Sequence, residues 1–72
     1  MKKVWKLQDL DCANCAAKME NAIRKIPGVQ SASVNFMAQK LTLEAEDSAY
    51  DHILEETVRV MHKVEPDCQL IR

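Results

Sequence analysis

The chain has 72 residues, of which 47% are hydrophobic and 29% are charged, a balance typical of a folded globular domain and not of a disordered segment. Ten basic and eleven acidic side chains leave a formal charge of −1, without the basic stripe that nucleic-acid binding requires. No apolar run approaches the ~20 residues of a membrane-spanning helix, and the lysines after Met1 lead into a mixed run unlike a signal peptide. We therefore expect one cytoplasmic domain, residues 1–72, with no nucleic-acid partner and no inserted segment.

The first half of the chain changes from a strand pattern to a helix pattern. Alternating apolar and polar residues predict a strand over 3–7, followed by a loop over 8–14 in which Leu10 is expected to be buried. Apolar residues at steps of three and four then predict an amphipathic helix over 15–26. Pro27 and Gly28 follow and end it.

The second half begins with two alternating segments, 29–36 and 40–44, whose short connection predicts an antiparallel hairpin. Ser48 is expected to cap a second amphipathic helix over 49–63, and a short strand over 68–71 ends the chain. The order strand, helix, strand, strand, helix, strand predicts an α+β fold: a ferredoxin-like βαββαβ sandwich with both helices on one face of a four-stranded antiparallel sheet. In that topology the 8–14 loop shares one end of the domain with the 36–39 turn and the 63–67 connection.

Two cysteines lie where the loop leads into the first predicted helix: Cys12 is in the loop, Cys15 is the first residue of the helix, and Asp11 precedes Cys12. The N-terminus of a helix has unpaired N–H groups and the positive end of the dipole, so it favours thiolate over thiol. Thiolates are the ligands that soft metal ions prefer. The chain has one close pair of cysteines and a distant Cys68. This pattern is typical of a protein in a reducing compartment with a metal-binding or redox role.

These residues resemble the heavy-metal-associated domain, the fold of copper chaperones and of the cytosolic N-terminal modules of heavy-metal P-type ATPases. The resemblance covers essentially the whole chain. It is carried by the cysteine loop and by three segments: Ala16-Ala17-Lys18-Met19-Glu20, Pro27-Gly28-Val29 and Val34-Asn35-Phe36. The family pattern is Gly-Met-x-Cys-x-x-Cys, and this chain departs from it at Asp9 and Leu10. Leu10 still supplies an apolar side chain beneath the site, whereas Asp9 restricts the backbone but removes no ligand.

The residue at the variable position before Cys12 is Asp11. The resemblance implies a zinc, cadmium or lead exporter, because copper-type members usually carry Thr or a similar small residue there. A divalent ion also needs at least three donors, and zinc accepts carboxylate oxygen beside sulfur, whereas two sulfurs suffice for Cu(I). We predict Cys12, Cys15 and Asp11 as ligands of Zn(II), Cd(II) or Pb(II), in preference to Cu(I). The alternative role for Asp11 is the helix N-cap.

Four further side chains could reach the same end of the domain. They are His62, Glu65, Asp67 and Cys68. Their ordinary roles are a solvated histidine, a charged turn and a small buried hydrophobe. The sequence leaves open whether any of them completes the coordination of a metal.

The resemblance implies a non-catalytic domain of a heavy-metal-exporting P-type ATPase, with the metal ion and the rest of that ATPase as partners. We expect a monomer, with a metal-bridged dimer as the alternative. A separate metallochaperone and a Cu(I)-binding domain of the same fold remain as alternative functions. A dithiol oxidoreductase is supported only by the CxxC spacing, and 72 residues are too few for a thioredoxin-type fold.

Overall fold

A computed structural model describes residues 1–71 of the chain. The elements are β1 (Lys2–Gln8), α1 (Ala13–Arg24), β2 (Val29–Asn35), β3 (Lys40–Ala45), a 3-10 turn (Asp47–Ala49), α2 (Tyr50–Val64) and β4 (Gln69–Ile71). The strands form one sheet in the order β2-β3-β1-β4, and every neighbouring pair is antiparallel. This arrangement confirms the predicted ferredoxin-like βαββαβ fold. No helix within residues 1–71 has the length and apolarity needed to cross a bilayer.

The core lies between the sheet and the two helices. Alternate residues of the strands point into it, so that Leu41 and Leu43 on β3 are fully buried. Each helix adds an apolar stripe, represented by Ile23 on α1 and Met61 on α2, both with no exposed surface. Burial of each such side chain stabilises the fold by roughly 1.5–3 kcal/mol. Cys12 and Cys15 are only half-buried and are not among the fully buried residues of this core, so we expect packing, and not a metal ion, to hold the fold together.

Both helices differ from the predicted ones at both ends. The first helix begins at Ala13 instead of residue 15, because Cys12 serves as its N-cap, and it ends at Arg24 instead of residue 26. The second begins at Tyr50, and the prediction of Ser48 as its cap is wrong. Ser48 lies inside the 3-10 turn, whose last residue, Ala49, occupies the N-cap position without a side-chain hydrogen bond. The chain enters α2 through this turn, so a separate capping side chain is not required.

A buried hydrogen-bond relay fixes the start of α2 against the sheet. The Trp5 indole Nε1–H donates to the Tyr50 hydroxyl at 3.0 Å, and that hydroxyl donates to the Leu43 carbonyl at 3.1 Å. Each buried polar group in the relay therefore has a partner. At the other end of α2, the C-cap residue Glu65 lies close to Cys15.

Candidate metal centre

The loop between β1 and α1 turns sharply at Asp9. The φ angle of Asp9 is 64°, in the left-handed region that favours glycine and that Asp tolerates better than most residues. This is the position where the resemblance expects glycine, so the departure leaves the backbone path in place. After the turn, Leu10 enters the core with 2% of its surface exposed, as predicted, while Asp11 is exposed.

Cys12 is the residue that begins the first helix. It has extended backbone angles, φ −138° and ψ 118°, and its sulfur accepts a hydrogen bond from the Cys15 N–H at 3.3 Å. Its carbonyl accepts from the Ala16 N–H at 3.0 Å, the first backbone bond of the helix. The alternative role of Asp11 as the N-cap is therefore wrong. The Cys12 sulfur thus lies at the helix N-terminus, where negative charge is favoured.

The two thiols differ in acidity because they share one hydrogen bond. The Cys15 side chain and backbone N–H both donate to the Cys12 sulfur, and these bonds lower the pKa of Cys12 below its usual value. The same side-chain bond, followed by desolvation and the nearby Glu65 carboxylate, raises the pKa of Cys15 to about 11. Cys12 is therefore the first of the pair to become a thiolate.

This difference predicts an order of alkylation. At neutral pH, iodoacetamide should modify Cys12 faster than Cys15, because the thiolate is the reactive form and the pKa of Cys12 is the lowered one. The preference should disappear as the pH approaches about 11, where Cys15 also ionises. Timed alkylation of reduced protein, followed by peptide mass spectrometry, measures both rates. The Cys15→Ala variant should slow modification of Cys12, since it removes a hydrogen bond that lowers the pKa of Cys12. Equal rates for Cys12 and Cys15 at neutral pH in the unmodified protein would contradict the predicted order.

Carboxylates flank the two sulfurs without closing around them. Glu65, half-buried just after α2, lies close enough to Cys15 to raise the pKa of its thiol. Asp11 lies next to Cys12 in the chain and its side chain is exposed. Among residues 1–71, no three Cys, His, Asp or Glu side chains are already gathered as a metal-binding group. The described part of the chain thus presents two sulfurs with carboxylate oxygens nearby, and the Glu65 side chain is hydrogen-bonded to Cys15.

The other candidate donors occupy the places that their ordinary roles require. Cys68 has no exposed surface and belongs to the core, which confirms its interpretation as a small buried hydrophobe. Burial, and then the carboxylates of Glu65, Asp9 and Asp11, raise the pKa of its thiol, so it lies beneath the loop as a neutral group. His62 and Asp67 are both exposed.

One residue of the site was missed by sequence reasoning. Gln39 ends the turn between β2 and β3, and its carboxamide hydrogen-bonds to the backbone of Leu10 across 29 residues of sequence. These bonds confirm that the 36–39 turn shares one end of the domain with the cysteine loop. No local pattern identifies this contact, because a glutamine after a turn is ordinary in any hairpin.

The chain is similar to a known family and to several known proteins. The family described as "Heavy-metal-associated domain" matches residues 4–67. The cadmium, zinc and cobalt-transporting ATPase of Bacillus subtilis (strain 168) is 32% identical over 66 residues, which are 92% of this chain and 9% of that protein. The zinc/cadmium/lead-transporting P-type ATPase of Escherichia coli (strain K12) is 44% identical over 43 residues, 60% of this chain and 6% of that protein. The chain therefore spans less than a tenth of these relatives.

Solved structures agree on the fold. The CopZ metallochaperone superposes with a TM-score of 0.78 at 18% identity, covering 99% of this chain and 100% of that one. Oxidized MerP from Ralstonia metallidurans CH34 gives a TM-score of 0.77 at 14% identity, covering 100% of this chain and 97% of that one. At these identities the likeness shows the fold alone. The match over residues 4–67 shows more: the chain belongs to the heavy-metal-associated domain family, whose fold is a non-catalytic metal-binding module.

Proposed function

We propose that this chain captures one divalent ion, Zn(II), Cd(II) or Pb(II), through Cys12 and Cys15, with Asp11 as a third ligand. The observation that carries the proposal is the placement of two sulfurs at the N-terminus of α1, directly after an exposed carboxylate that caps no helix. The metal is cargo in this proposal and not part of a catalytic centre.

The charge around the loop supports a divalent ion. Two thiolates neutralise a 2+ ion, and the nearby carboxylates of Asp9, Asp11 and Glu65 make the surroundings anionic. Zinc accepts this mixture of sulfur and oxygen donors, whereas Cu(I) is satisfied by sulfur alone. The names of the relatives from Bacillus subtilis and Escherichia coli, which include cadmium and zinc transport, support the same class of ion.

The exposure of the site favours transfer of the ion to another protein. Cys12 and Cys15 are half-buried and Asp11 is exposed, so an incoming ligand from another protein can reach the ion and replace these donors one at a time. The parent protein in this proposal is a heavy-metal-exporting P-type ATPase, and this domain lies on its cytoplasmic side. The domain either passes its ion to the transport machinery, or its occupancy by the ion regulates transport.

One observation favours a second candidate, a Cu(I)-binding domain or separate metallochaperone of the same fold. The Cys15 side chain donates a hydrogen bond to the Cys12 sulfur, so the two sulfurs lie close together, and Cu(I) is satisfied by two sulfur ligands. The two candidates differ in whether the Asp11 carboxylate contributes to binding.

Competitive titration of reduced protein with Zn(II), Cd(II), Pb(II) and anaerobic Cu(I) separates them. Asp11→Ala should weaken Zn(II) and Cd(II) by about tenfold or more, the scale on which even supporting partners of metal ligands act, because a direct oxygen ligand is lost. Binding of Cu(I) should change far less. Asp67→Ala is the matched control, since it removes an exposed carboxylate from the connection before β4.

Two outcomes would contradict the proposal. Equal losses for Cu(I) and the divalent ions in Asp11→Ala would remove the argument for selectivity. Preferential Cu(I) binding that is indifferent to Asp11 would assign the site to copper and leave the carboxylate without a role in it.

A further inference from the structure

We propose that Gln39 is a positioning residue for the loop between β1 and α1. Its carboxamide binds both backbone polar groups of Leu10, which lies two residues before Cys12. The inference rests on the proposed function of Cys12 and Cys15 as metal ligands. It adds a residue that binds no metal itself and that acts through the loop backbone.

The Gln39 side chain both accepts from and donates to the backbone of Leu10. The Leu10 N–H donates to Gln39 Oε1 at 3.0 Å, while Gln39 Nε2 donates to the Leu10 carbonyl and, at 2.9 Å, to the Phe36 carbonyl. One carboxamide thus satisfies the donor and the acceptor of a single residue, as a neighbouring strand would. Leu10 is 2% exposed, so without these bonds its backbone groups would need other partners near the core.

Gln39 is itself held firmly enough to act as a support. Its carbonyl accepts from the Leu7 N–H at 2.7 Å and its N–H donates to the Phe36 carbonyl at 3.3 Å. Its φ angle is 55°, so the turn places a non-glycine residue in the left-handed region. Such a residue is strained and persists where its surroundings compensate for it. The hydrogen bonds of Gln39 provide that compensation.

These bonds fasten the loop on both sides of its own left-handed residue. Gln39 binds Leu7 through its backbone and Leu10 through its side chain, and Asp9, with φ 64°, lies between them. The path from Leu10 to the Cys12 sulfur is then only two residues long. Partners that orient metal ligands typically change metal affinity by about 10- to 100-fold when they are removed. Gln39 orients the ligands in the same way, although it contacts the loop backbone and not a ligand side chain.

The test uses Gln39→Met, which keeps the length and volume of the side chain but removes its hydrogen bonds. Cd(II) affinity of the reduced protein, measured by competitive titration, should fall about tenfold, and the Leu10 amide should exchange its hydrogen faster. Gln30→Met is the matched control, because Gln30 is an exposed glutamine of β2, and it should bind within about twofold of the unmodified protein. Circular dichroism of the metal-free variants monitors the fold.

A second variant distinguishes positioning from packing. Gln39→Glu keeps an acceptor for the Leu10 N–H but, when ionised, places a carboxylate against the carbonyls of Leu10 and Phe36. Because this repulsion should push the side chain away from Leu10, Leu10 amide protection in metal-free protein should fall near neutral pH and recover as the carboxyl protonates at about pH 4–5, when a protonated Glu regains a donor. A role in packing alone predicts no such recovery, and its absence would count against the inference.

The outcomes separate this inference from the proposed function. Absence of divalent binding in the unmodified protein overturns both. Normal binding in the unmodified protein, with a folded Gln39→Met variant that binds Cd(II) within about twofold of it, overturns only the role of Gln39. If Gln39→Met does not fold, amide exchange of the unmodified metal-free protein decides: protection at Leu10 supports positioning, and exchange at the rate of an unstructured loop overturns it.

Discussion

Cys12→Ser and Cys15→Ser should each abolish tight binding of Zn(II) or Cd(II) and leave the fold intact. Each change removes one of two thiolates, which provide both the soft donors and the charge that a divalent ion needs. The loss should exceed the roughly 100-fold upper range seen for supporting partners, because a direct ligand is removed. Competitive titration measures the affinity, and circular dichroism of metal-free protein measures the fold.

The fold should survive because neither thiol is among the fully buried residues of the core, although Cys15 packs against it. Both side chains are half-buried, and Ser at position 12 retains an N-cap oxygen in place of the sulfur. Cys68→Ala is the informative control: it removes a fully buried thiol, so it should lower the free energy of unfolding while metal affinity stays unchanged. Unfolded metal-free Cys12→Ser protein would show that packing does not build the domain, and retained affinity would exclude Cys12 as a ligand.

Gly28→Ala should lower the free energy of unfolding by about 2–4 kcal/mol, the largest effect on stability that we expect from a single added methyl group. Gly28 has φ 95°, which disfavours any side chain, and an added Cβ would lie 2.7 Å from Cδ1 of Ile53. Ile53 is 2% exposed, so its side chain has little room to move away. Urea unfolding followed by circular dichroism measures the change.

A double variant tests the cause of that loss. Ile53→Val removes the Cδ1 atom that the new Cβ would meet, and alone it should cost about 0.5–1.5 kcal/mol. In the Gly28→Ala background the same change should cost less, because it relieves the contact; the backbone strain at position 28 remains. Additive costs would contradict the steric part of the explanation, and a loss below about 0.5 kcal/mol in Gly28→Ala would contradict the whole of it.

The topology could be predicted because it depends on patterns that are local in sequence. Alternation placed Leu41 and Leu43 inward, and the helical period identified the buried Met61, all without exposed surface in the structure. Pro27 and Gly28 indicate that the first helix ends before them, and it does so at Arg24, two residues earlier than predicted. The short connection between β2 and β3 predicts their antiparallel pairing, and few arrangements of the remaining elements then form one sheet.

The details of the loop could not be predicted because they depend on weaker or longer-range contacts. A cysteine sulfur is a poor acceptor, so Cys12 gives no capping signal of the kind that led to the wrong prediction for Ser48. The bond from Gln39 to Leu10 joins residues 29 apart and depends on the geometry of a turn. The role of Asp11 as a ligand remains a prediction, since its carboxylate would have to join the sulfurs when the ion binds.

The most direct test of the metal site is X-ray absorption at the zinc edge of reduced protein loaded with one Zn(II) per chain. We predict two sulfur neighbours at about 2.3 Å and a set of oxygen donors at about 2.0–2.2 Å, with one oxygen neighbour lost in Asp11→Ala or replaced by water at lower affinity. That result would establish Cys12 and Cys15 as ligands of a mixed sulfur–oxygen site. A shell without sulfur, or one made of sulfur alone, would contradict it.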